Sequence, residues 1–170
     1  MKKINPKLII LFVLLLSLMI LLRGAIIIPI LIIISFSLSF LINNFPIRNV
    51  GIELATFIGI IIGRIYGPLW GFISCGSLIL IHILAGGFFG IYALWVIPTY
   101  AIAGALSGFI KGDIVSIGIG LSVFINVVEG IFTSIFSPAF LVKHIPYAIT
   151  NVIFNVILFT LFGNVVLFFI

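Results

Sequence analysis

The chain is cut into apolar runs of about 15 to 22 residues by short breaks, and that length decides most of what it can fold into. A run of ~20 apolar residues crosses a hydrocarbon core ~30 Å thick as a helix, whereas a membrane β-barrel needs alternating segments about half as long. The runs do not alternate. With 64% of 170 residues hydrophobic and 6% charged, against roughly 45–50% and 25% in soluble domains, a water-soluble fold is excluded. The fold class is all-α, a polytopic membrane helical bundle.

The breaks set the expected organisation. They fall at Asn43-Asn44-Phe45-Pro46, Gly67-Pro68, Gly86-Gly87, Lys111-Gly112-Asp113, and from Ser137-Pro138 to Pro146. Between them lie six core helices, predicted over 25–42, 52–65, 68–85, 91–110, 114–136 and 145–169. An N-terminal basic and apolar leading segment, residues 1–24, precedes the membrane domain, residues 25–170. Lys2, Lys3 and Lys7 followed by Leu8 to Leu22 have the outline of a secretory signal, but Arg23-Gly24-Ala25 lacks the small-x-small cleavage pattern, so the segment is kept in the mature protein. No linker holds a soluble domain, and any ATP hydrolysis would need a partner chain.

Glycines recur every four residues at Gly59, Gly63, Gly67 and Gly71, and again at Gly104, Gly108 and Gly112. That spacing lets helix backbones approach closely, either as internal packing or as a sliding surface for another subunit. Cys75, the single cysteine, cannot form an internal disulfide, so packing alone must hold the fold. Net charge of +5 arises from scattered Lys and Arg rather than a basic stripe, which argues against a nucleic-acid partner.

Polar residues within apolar helices carry the functional signal, because each is costly in lipid. If consecutive core helices alternate in direction, Glu53, His82, Tyr92, Trp95, Asn126, Glu129, Tyr147 and Asn151 all approach one membrane face. The opposite ends hold Arg64, Lys111 and Asp113. Asn126 and Glu129 share a helical face at three residues apart, as do Tyr147 and Asn151 at four. Such convergence describes a half-buried pocket open to one side.

Each residue also has a plainer reading. His82 can satisfy itself at a helix interface, Tyr92 and Trp95 can form an aromatic belt, and Glu53 can sit at the water boundary near a helix N-terminus. Asn155 reads as an interhelical hydrogen bonder. Glu129, deep within its helix, is the hardest to explain structurally. The predicted substrate-binding set is His82, Tyr92, Trp95, Asn126, Glu129, Tyr147 and Asn151. A carboxylate there favours a cationic or donor-rich solute. No catalytic constellation, metal-ligand spacing or phosphate loop is present, so neither an enzyme nor a metal or cofactor is expected.

Three stretches then suggest a family. Gly63-Arg64-Ile65-Tyr66-Gly67-Pro68-Leu69-Trp70-Gly71 runs a short helix into a Gly-Pro turn and a glycine-spaced helix. Pro98 to Lys111 gives a glycine-spaced helix with a basic end, and Ile145-Pro146-Tyr147-Ala148-Ile149-Thr150-Asn151 opens a long apolar run. In order and spacing these resemble the substrate-binding S component of energy-coupling factor (ECF) vitamin transporters, over about residues 25–170. The resemblance implies a multi-pass protein of the cell membrane that captures a vitamin-like small molecule at the outer face. Uptake would be driven in complex with a transmembrane coupling subunit and two ATPase subunits. It also implies a coupling face on the first core helix, where Ser35 and Ser39 hold the four-residue spacing. Charge counting agrees with the family's orientation if the leading segment does not cross, since its lysines then join Arg23, Arg64 and Lys111 against Arg48 and Lys143. The competing expectation is a structural or assembly subunit of a membrane complex whose polar residues only join helices.

Overall fold

The computed structural model describes residues 23–44, 50–87 and 89–170. The leading segment 8–22, Lys2, Lys3, Lys7 and Arg48 lie outside the described residues. Within them every regular element is helical. We number these α1 (Arg23–Asn44), α2 (Ala55–Tyr66), α3 (Pro68–Ala85), α4 (Ala93–Phe109), α5 (Ile114–Phe136) and α6 (Pro138–Leu158). A π-helical turn, Phe159–Gly163, carries α6 into α7 (Asn164–Phe169). Three stretches, Pro68–Ala85, Ile114–Phe136 and Pro138–Phe169, are long and apolar enough to cross a membrane.

The last core helix departs most from its predicted bounds. It begins at Pro138, not residue 145, so the predicted break from Ser137 to Pro146 shrinks to Ser137. Pro138 occupies the first helical turn, where a missing N–H costs nothing. Pro146 sits inside the helix, and Thr150 Oγ1 donates back to Pro146 O at 2.7 Å. A proline read as a terminator is instead absorbed mid-helix. The second and fourth helices start at Ala55 and Ala93, a few residues later than predicted.

Polarity is distributed inside out. On α6, Ile145, Ile149, Ile153 and Ile157 are exposed while Asn151, Asn155 and, in the π turn, Phe159 are buried. Leu69, Trp70, Phe72 and Ile73 on α3 and Val127, Ile131 and Ile135 on α5 extend the apolar exterior. Soluble monomers rarely expose apolar patches beyond a few hundred Å², so this perimeter suits an apolar solvent.

The bundle is built on a glycine seam where α2, α3 and α4 cross. A Cβ on Gly63 would meet Ser107 Oγ and Gly104 O, one on Gly71 would meet Gly104 O, and one on Gly104 would meet Gly71 O. Gly59 lies against Cys75, whose Sγ donates to Ala55 O at 3.6 Å, and Gly108 lies against Pro68. The four-residue repeat is therefore spent on internal packing at these positions. Gly67 and Gly112 are different: with φ of 94° and 148° they make the turns before α3 and α5. Arg64 ties the same end together, donating from Nη1 to Ile110 O and from Nη2 to Gly112 O, both at 2.9 Å. Asp113 caps α5 by accepting from Ser116 N–H at 3.0 Å, and that bond holds its carboxyl below the usual carboxylate range.

Candidate functional site

The opposite end of the bundle holds a polar seam. It starts with Glu53, which precedes the cap residue Leu54 and is fully buried. Its Oε2 accepts from Thr56 N–H at 3.0 Å and its Oε1 from Thr56 Oγ1 at 2.6 Å. A carboxylate here satisfies an orphan amide and meets the positive end of the α2 dipole. Asn151 Nδ2, from α6, donates to the same Oε1 at 3.0 Å and to Gly51 O at 3.1 Å. Gly51 is needed for this approach, since a Cβ there would collide with the Tyr147 carbonyl and with Asn151.

Asn151 joins two further amides. Its Oδ1 accepts from Asn126 Nδ2 at 2.8 Å and from Asn155 Nδ2 at 3.3 Å. Asn126 Nδ2 also donates to Ser122 O at 2.8 Å, and Asn155 Nδ2 to Asn151 O at 3.0 Å. Because each of these nitrogens faces two acceptors, the amide orientations are fixed by the network. Five predicted or noted residues, Glu53, Asn126, Glu129, Asn151 and Asn155, are all buried, and all but Glu129 share these bonds.

Glu129 lies one turn beyond Asn126 on the same α5 face and is 2% exposed, yet its Oε1 has no hydrogen-bond partner. Asn126 Oδ1, Asn155 Oδ1, Ser122 Oγ and Trp95 Nε1 are likewise buried and unbonded. Ser122, Asn126 and Glu129 share one buried face of α5, and Asn155 is bonded to Asn151, the partner of Asn126. Buried polar atoms without partners are rare in native proteins, and each calls for a reason.

Aromatic side chains border the seam. Trp95 stacks on Phe136 with ring centroids 5.9 Å apart. Tyr92 lies half-buried at the start of α4. Tyr147 lies 3.5 Å from Tyr100, hydroxyl to hydroxyl, and stacks against His144 at 6.5 Å. His144 Nε2 in turn lies 3.4 Å from Asn126 O.

His82 Nδ1 meets Ser39 Oγ at 2.9 Å, joining α3 to α1. Ser35 and Ser39, expected on a coupling face, are each 2% exposed and turned into the bundle. The outward face of α1 carries Ile33, Phe36 and Phe40 instead.

Sequence reasoning missed Tyr100 and His144. Tyr100 is fully buried on a face of α4 that repeats as Ala93, Tyr100, Ala103 and Ser107, a helical periodicity that could have marked it. His144 fell in the segment read as a loop. Among the described residues no cluster of three or more His, Cys, Asp or Glu could hold a metal. No family model matches the chain, and neither does any curated protein or solved structure.

Proposed function

We propose that the chain is a multi-pass protein of the cell membrane whose polar seam binds a vitamin-like small molecule. In this reading it serves as the substrate-binding subunit of an ECF-type transporter, working with a transmembrane coupling subunit and two ATPases. The observation that supports it is Glu129: a carboxylate deep in a helix, excluded from water and lacking a partner for one oxygen. Such a group is costly unless something else completes it, and a solute is the simplest completion. Trp95 and Tyr92, at the start of α4, offer aromatic faces on which a ring could stack. A coupling subunit would meet the Ile33, Phe36 and Phe40 face of α1, because Ser35 and Ser39 are internal.

Mass spectrometry of small molecules retained through mild detergent purification tests the reading directly. Glu129→Gln is expected to weaken binding of the retained compound at least tenfold, about 1.4 kcal/mol. Unchanged affinity would remove Glu129 from the site.

One observation favours the structural alternative. Glu53, Asn126 and Asn151 already bond to one another, as helix-joining residues would. A structural or assembly subunit would show no saturable small-molecule binding and would copurify with a complex that transports nothing.

A further inference from the structure

We propose that the ligand of this seam is an organic cation carrying N–H donors, an ammonium or amidinium attached to an aromatic ring, with Glu129 as its counter-ion. The inference rests on the small-molecule reading above and narrows it to a chemical class. It follows from which atoms the network has used. Asn126 and Asn155 have each committed the amide nitrogen twice, to Ser122 O and Asn151 Oδ1 in one case and to Asn151 O and Oδ1 in the other. Their carbonyl oxygens are what remains, and both are unbonded. Glu129 Oε1 adds a third unbonded acceptor. Against these stands a single obligatory donor, Trp95 Nε1, while Ser122 Oγ can play either part.

A lining of acceptors selects by repulsion as well as by attraction. A carboxylate or phosphate would set lone pairs against lone pairs and add a second negative charge beside Glu129. Arg64 and Lys111 lie at the opposite end and Lys143 is exposed over the Phe140 ring, so none of these three answers that charge from inside. A cationic N–H group supplies both missing elements, charge and donors, in one fragment. Its ring would be received by Trp95, which also favours a cation electrostatically.

The test uses the full-length protein in detergent with three probes that share a benzene ring, benzylamine, benzyltrimethylammonium and benzoate, followed by equilibrium dialysis. Benzylamine should bind saturably, benzyltrimethylammonium at least tenfold more weakly because it lacks N–H groups, and benzoate should not saturate. Glu129→Gln should weaken benzylamine at least tenfold, and Glu129→Asp, which keeps the charge, should retain part of the affinity. Benzoate binding as tightly as benzylamine, equal binding of the two cations, or an unaltered affinity in both variants would overturn the assignment of class. None of those results would touch the small-molecule reading, which the retained-compound experiment decides by itself. If none of the three probes binds saturably, this inference fails.

Discussion

Two seams hold the bundle together, and they are built on opposite principles. The glycine seam of α2, α3 and α4 works by removing side chains until backbones touch. At Gly63, Gly71 and Gly104 no space remains for even a methyl group. The polar seam of α2, α5 and α6 works by adding side chains, two carboxylates and three amides, and it leaves several of their atoms unbonded. The first is complete, and the second is not. In lipid, where apolar burial offers no drive between helices, both close packing and hydrogen bonds can join them. Only the unfinished seam retains unbonded polar atoms, so the division separates a close-packed frame from a candidate site.

The sharpest way to break this comparison is at the frame. Gly104→Val would push two methyls and a Cβ into the backbone of Gly71 and the side chain of Cys75, and is expected to abolish the folded bundle. Recovery of a monodisperse protein with an unchanged melting point would show that the seam is looser than its geometry. Next comes the bonded part of the polar seam. Asn151→Ala removes donors from Glu53 and Gly51 and an acceptor from Asn126 and Asn155, and should cost about 2 kcal/mol or more in detergent unfolding.

Glu129→Gln sharpens the contrast within that seam. With no bond to lose at Oε1, it should leave thermal stability unchanged or raised while ligand affinity falls, a split that Asn151→Ala would not show. The smallest effect is expected at the exposed end. Asp113→Ala removes the α5 cap and should lower the melting point slightly at neutral pH. Because the Ser116 N–H holds the folded carboxyl below its ordinary range, this contribution is present above about pH 4 and is lost as pH falls through the folded value. A difference from the native chain that persists at still lower pH would assign the effect to something other than the charge.

The two seams were unequally legible in the sequence. Four-residue glycine spacing is a local signal, and it located the frame, although it could not show that Gly67 and Gly112 make turns. The polar residues announced themselves by being costly, so Asn126, Glu129 and Asn151 could be named. Their partners could not. Asn151 bonds to Glu53 and Gly51 across about a hundred residues of chain, and His82 turns to Ser39 on a helix whose packing no local pattern encodes. Ser35 and Ser39 share a spacing with the glycines, yet spacing fixes only a common face and not the direction that face looks. Pro146 misled for a related reason: a proline signals a break unless surrounding packing holds the helix through it.

The π turn from Phe159 to Gly163 matters for a reason of phase. The inward residues of the last helical stretch, Tyr147, Asn151, Asn155, Phe159 and Gly163, step by four, whereas an α-helix repeats every 3.6 residues, so a straight helix would let that line drift sideways by about 40° at each step. A wider turn takes back part of the drift just where it has accumulated. Phe159 points at Gly118, whose bare Cα admits the ring, and the turn that follows keeps Gly163 against Ile114. The irregular turn acts as a leap day, restoring the calendar of a line of residues whose period does not match the rod that carries it.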